Sequence, residues 1–123
     1  MTSALHGLKV LDFSTLLPGP FATLYLADLG AEVIHLESPT RPDLIRVLPP
    51  YAHGQATAHR CLNRNKQSIA LDLKDPKNIE LIHEKIKSFD IVVEQFRPGV
   101  MQRLGLDYAT LAAIHPKLIY CSI

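Results

Sequence analysis

The chain has 123 residues, 47% hydrophobic and 20% charged, with a formal net charge of +1. Domains commonly run to about 100–150 residues, so this length supports one domain with its own core, and the composition excludes a disordered or collagen-like chain. The near-neutral balance excludes a bulk electrostatic grip on nucleic acid or on an anionic membrane, and no apolar run approaches the ~20 residues that cross a bilayer. A cytoplasmic domain is the expectation. Its two cysteines, Cys61 and Cys121, are too few for a disulfide framework and lack an activating partner, so buried thiols are expected.

Leu8 to Phe13 is an apolar run too short for a helix and reads as a strand. Gly19-Pro20 then opens a helix, where proline's missing N–H would have no partner anyway. Phe21, Leu24, Tyr25 and Leu29 recur at helical spacing, and Gly30 ends the run. Glu32 to Glu37 (EVIHLE) is a second strand, so residues 8–37 form a βαβ unit with a right-handed crossover. Residues 38–56 hold four of the nine prolines, which predicts a surface excursion without regular structure. A helical turn or two over 56–64 and a strand over Gln67–Leu73 follow.

Asp75-Pro76 is a helix start, a carboxylate cap followed by proline at the first helical position. Ile79, Ile82, Ile86 and Phe89 give that helix its apolar stripe. Asp90–Glu94 reads as a buried strand, two short helices follow near 98–104 and 107–114, and Lys117–Ile123 is a last strand. Alternating strands and helices imply an α/β domain: an open, mostly parallel sheet with helices on both faces. Ligands of such sheets bind beyond the carboxyl ends of the strands.

Motif chemistry is sparse. GxxxxGK[ST], GxGxxG and GxSxG are all absent. The segment Leu16-Leu17-Pro18-Gly19-Pro20 puts a helix start after the first strand, which suits an anion but also suits an ordinary turn. Lys74, Arg97 and Arg103 fall near strand ends, where three cations and the Phe96 ring suit a phosphorylated ligand with a planar group. A solvated surface is the alternative reading of the same cations. His53, His59 and Cys61 match no zinc-ligand spacing, so no metal is expected. His35 is expected to pack within the sheet, and His83 and His115 to lie on a helix surface or in a turn.

Three blocks together carry a resemblance. They are Gly7-Leu8-Lys9-Val10-Leu11-Asp12-Phe13 through LLPGPFATLYLADLGAEVIHLE, then Asn63 to Lys74 (NRNKQSIALDLK), then Asp90 to Gly99 (DIVVEQFRPG) with Arg103-Leu104-Gly105. In order and spacing they resemble the N-terminal part of the class III coenzyme A (CoA) transferases, the L-carnitine dehydratase and bile-acid-inducible protein F type, which includes α-methylacyl-CoA racemase. The resemblance implies that residues 1–123 form a Rossmann-like CoA-binding domain from a protein about three times this length. It places CoA contacts on Leu17 and Pro18, on Leu71, Asp72, Leu73 and Lys74, and on Gln95, Phe96, Arg97 and Arg103. The ligand so implied is CoA or an acyl-CoA thioester, as substrate. Where relatives often carry an arginine after the second strand, this chain has Ser38, with Arg41 and Arg46 as nearby substitutes. The transferases of this family use an aspartate nucleophile and the racemases a His–Asp pair; no residue of this chain matches either, so no catalytic residue is expected within it. The family's interlocked dimers imply a homodimer or higher self-association.

Overall fold

The computed structural model describes residues 2–123. Strands β1 (Lys9–Asp12), β2 (Glu32–Glu37), β5 (Lys66–Ala70), β6 (Ile91–Glu94) and β7 (Ile119–Ser122) form one sheet in the order β5-β2-β1-β6-β7. Every neighbouring pair in it is parallel. Counted among the sheet strands this is the order 3-2-1-4-5 of doubly wound folds, in which the chain reverses its direction of travel across the sheet beside the first strand.

Side chains alternating along the strands supply both faces. Val10, Val33 and Val93 pack with Ala27 and Ala31, beneath helix α1 (Pro18–Asp28). Leu11, Phe13, Leu36 and Val92 pack on the other face against Ile82 of α3 (Pro76–Lys85), Ile86 of the following 3-10 turn, Met101 of α4 (Val100–Leu104) and Leu111 of α5 (Tyr108–Ile114). The larger cluster holds fully buried Ile86, Leu106 and Leu111, each contributing about 1.5–3 kcal/mol by burial.

Most elements fall where the sequence puts them, and the differences have physical causes. Helix α1 starts at Pro18 and turns Gly19, Pro20, Thr23, Leu24 and Ala27 toward the sheet. Of the four residues that recur at helical spacing, Leu24 is buried, while Phe21, Tyr25 and Leu29 are 46%, 58% and 49% exposed. At the helix start the approach is tight: a Cβ at Gly19 would lie 2.1 Å from the Ser14 side chain, so no larger residue fits there. Strand β5 ends at Ala70 rather than Leu73, because the Asp72 carboxylate accepts the Lys74 N–H at 3.0 Å and turns the chain.

The proline-rich excursion is more ordered than its composition implies. It contains a 3-10 turn at Leu44–Val47 and a hairpin of β3 (Tyr51–Ala52) with β4 (Gln55–Ala56). Both cysteines are exposed, against expectation. Cys61 lies on the short helix α2 (Thr57–Leu62), which has no buried residue, and Cys121 lies on β7, at the sheet edge.

Candidate functional site at the carboxyl ends of the parallel strands

Three of the five sheet strands end in a buried carboxylate: Asp12 on β1, Glu37 on β2 and Glu94 on β6. Unpaired, each would be costly to bury, and each is satisfied. Asp12 accepts from the Ser14 N–H (2.8 Å), the Ser14 hydroxyl and the Thr23 hydroxyl. The buried Lys66 ammonium stands 3.7 Å from Asp12 and donates to the Pro20 carbonyl at 2.8 Å. Burial pulls the Lys66 pKa below its ordinary value, and the Asp12 carboxylate opposes that pull. Glu37 receives the Arg46 guanidinium as a fork, with Nε 2.9 Å from Oε2. That pairing holds the Glu37 carboxyl at a pKa of about 2. Glu94 accepts the Phe96 N–H at 2.8 Å.

His35 on β2 lies between two of these carboxylates. Its Nδ1 is 3.9 Å from Asp12 and its Nε2 is 3.7 Å from Glu37, too far for hydrogen bonds at either nitrogen. Burial lowers its pKa against the pull of both carboxylates, favouring the neutral ring.

Above this buried layer lie the loops. The β1–α1 loop carries Leu16 at φ 62, a left-handed conformation unusual for leucine. Gln95, just after β6, spans to that loop: its Nε2 donates to the Thr15 carbonyl at 2.7 Å, and its Oε1 accepts the Gly19 N–H at 3.3 Å. Leu17 caps α1 and Pro18 is its first residue, both exposed. Phe96 is half-buried against the larger core cluster. Arg97 is exposed, and the Arg103 guanidinium reaches back over Gly99. Gly99 has φ 83, which a glycine adopts without strain. Beyond β6 and β7 an open cleft of about 600 Å³ is lined by Phe96, Arg97, Gly99, Tyr108 and Tyr120 among others.

Leu17, Pro18, Gln95, Phe96, Arg97 and Arg103 are thus gathered around the carboxyl ends of β1 and β6. Leu71, Asp72, Leu73 and Lys74 follow β5, three strand positions from β6, or roughly 14 Å at the usual ~4.8 Å spacing. Lys74, Arg97 and Arg103 enter no ion pair among the described residues. Of the two arginines offered as substitutes at Ser38, Arg46 is committed to Glu37, while the backbone N–H of exposed Arg41 bonds the Ser38 hydroxyl at 3.2 Å. The buried carboxylates escaped the sequence reading. Their signal was present, an acidic residue closing each of the apolar runs KVLD, EVIHLE and IVVE.

An open parallel sheet with helices on both faces, and loops and unpaired cations at one end, defines an α/β domain. The profile of CoA-transferase family III matches residues 5–123, and the chain belongs to that family. It is 45% identical over 120 residues to succinyl-CoA:glutarate CoA-transferase of Homo sapiens, covering 97% of this chain and 27% of that protein. It is 45% identical over 116 residues to acetyl-CoA:oxalate CoA-transferase of Acetobacter aceti, covering 94% of this chain and 30% of that protein. The crystal structure of a CAIB/BAIF family protein from Brucella suis superposes with a TM-score of 0.91 at 38% identity, over 99% of this chain and 33% of that one. The chain therefore spans about a third or less of the length of these relatives.

Proposed function

We propose that residues 1–123 form the CoA-binding domain of an enzyme that moves CoA between an acyl-CoA thioester and a carboxylic acid. The observation that carries the reading is the layout of the carboxyl edge. Free cations stand at two places several strands apart, Lys74 after β5 and the Arg97–Arg103 pair after β6, with an aromatic ring beside the second. A small phosphate cannot bridge them. A nucleotide with several phosphates and a long arm can, and CoA has that form. In this reading the Phe96 face takes the adenine, the cations take phosphates, and the segments Leu17-Pro18 and Leu71–Leu73 border the arm. Arg41 supplies the charge missing at Ser38. The names of the relatives favour transfer over racemisation.

The protein is expected to work in the cytoplasm as a homodimer, its exposed Leu17, Phe21, Tyr25 and Leu29 forming contact surface. Calorimetry with CoA, and with desulfo-CoA to exclude thiol exchange, tests the reading. Charge-assisted contacts contribute about 1.5–3 kcal/mol each, so Lys74→Ala with Arg103→Ala weakens binding more than about a hundredfold. Lys85→Ala with Lys87→Ala, at the far end of α3 and in the turn that follows, leaves it intact. Equal behaviour of the two double variants means general charge attraction and refutes the site.

A further inference from the structure

We propose that Asp43 is the positioning residue of the β1–α1 loop, holding Leu16 in its left-handed conformation and thereby setting CoA affinity; the affinity part rests on the CoA reading above. A leucine at φ 62 persists only where its surroundings over-determine it. Here the constraint is visible. The Leu16 N–H points between both carboxylate oxygens of Asp43, 3.1 Å from each. Asp43 is 3% exposed and is itself fixed: its N–H donates to Glu37 Oε2 at 3.3 Å, and its Oδ1 also accepts the Ile45 N–H at 3.1 Å. Glu37 in turn is gripped by Arg46 from the same 3-10 turn.

The proline-rich excursion therefore leaves β2, folds back over the carboxyl end of β1 and clamps the loop there. On the opposite side the loop is tied to Gln95 through the Thr15 carbonyl and the Gly19 N–H. With both ties made, Leu17 and Pro18 are presented at the carboxyl edge in one arrangement. Without Asp43, Leu16 is free to return to an ordinary φ below zero, which swings the peptide that leads into Leu17. Capping the 3-10 turn explains the bond to Ile45 but not the one to Leu16, whose residue lies in a different loop.

The test uses the 123-residue chain and two readouts: amide hydrogen exchange at Leu16 without ligand, and calorimetry with CoA. Asp43→Ala is expected to speed Leu16 exchange and to weaken CoA, each by about tenfold or more, while Asp43→Asn, which keeps one acceptor oxygen, stays within about threefold of the parent. Asp90→Ala is the control, because Asp90 also accepts a backbone N–H (Lys9, 2.8 Å) but at the amino end of the sheet. It leaves both readouts unchanged. Unchanged Leu16 exchange in Asp43→Ala overturns the proposal, and so does faster exchange with undiminished CoA binding. If the parent chain binds no CoA, the functional reading fails by itself, and exchange with its rescue by asparagine decides the clamp. If Asp43→Ala does not fold, Leu16→Gly decides, since glycine adopts the left-handed conformation unaided. In that background Asp43→Ala recovers folding and affinity if Asp43 acts as the clamp, and recovers neither if it serves only as a cap.

Discussion

Replacing Arg46 by Met tests the buried charge layer under the candidate site. Glu37 is 7% exposed and its carboxyl is held at about 2 instead of the ordinary 4.5, chiefly by the Arg46 fork. At about 1.4 kcal/mol per pKa unit, that displacement corresponds to roughly 3 kcal/mol. The Arg46 side chain is 38% exposed, so solvent screening reduces the contribution to about 2 kcal/mol. Because the folded-state pKa is depressed, the contribution is complete above about pH 4.5 and is lost as pH falls toward 2. Arg46→Met is therefore expected to lower the Tm at pH 7 by roughly 8 °C, taking about 4 °C per kcal/mol for a domain of this size. The gap from the parent protein should close progressively between about pH 4.5 and pH 2. His35, whose pKa burial lowers, also costs stability as pH falls below its ordinary value of 6.5, but it does so in both proteins and cancels in the difference. Thermal melts by circular dichroism from pH 7 to 2.5 measure the gap. A gap that stays constant with pH would assign it to lost packing of the arginine stem and refute the electrostatic account.

Gly19→Ala puts a Cβ 2.1 Å from Ser14 and forces the β1–α1 loop to move, costing on the order of 1–3 kcal/mol; thermal melts read the loss, and an unchanged Tm shows that the helix start yields freely. Self-association through α1 is checked by light scattering on Phe21→Ser with Tyr25→Ser, two exposed rings with centroids 5.0 Å apart. The double variant is expected to be more monomeric than the parent, and an unchanged mass distribution places the contact elsewhere. The isolated chain is expected to show neither CoA transfer to acceptor acids nor α-proton exchange of a chiral acyl-CoA in deuterated water. Turnover that survives removal of host enzymes would require a nucleophile within residues 1–123.

The parallel sheet was legible because its strands are short β-branched runs set between turn residues, and EVIHLE is a strand over its full expected length, Glu32–Glu37. Boundaries slipped where a side chain intervened. The Asp72 carboxylate ends β5 early by capturing the Lys74 N–H, a local competition that hydropathy does not register. Helix α1 was legible from its spacing, but which of its residues face the sheet was not. Helical spacing marks Phe21, Leu24, Tyr25 and Leu29 alike, whereas only Leu24 of these faces inward, beside the smaller Gly19, Thr23 and Ala27. The cysteines were misplaced for a related reason. A small apolar residue is buried only if its element has a covered face, and neither α2 nor the outermost strand offers one at those positions.

The buried charges were the least legible part, because each is made tolerable by a partner that sequence proximity does not reveal. Lys66 comes from the edge strand β5, and its head group crosses behind β2 to reach both the first turn of α1 and Asp12 on β1. Arg46 and Asp43 come from an excursion that composition marks as unstructured, yet they meet at Glu37. The same prolines that suppress helix and strand there leave the segment free to fold back over the sheet. Its buried apolar side chains, Ile45 and Ala56, and the Asp43 cap fix where it lands. The carboxylates closing the strands thus do two things at once. They end the apolar runs that make the sheet, and they provide the acceptors to which the loops above are tied. In this domain the arrangement of the carboxyl edge rests on a polar layer beneath it, so substitutions at Glu37, Asp43 or Arg46 are expected to act on the candidate site from below.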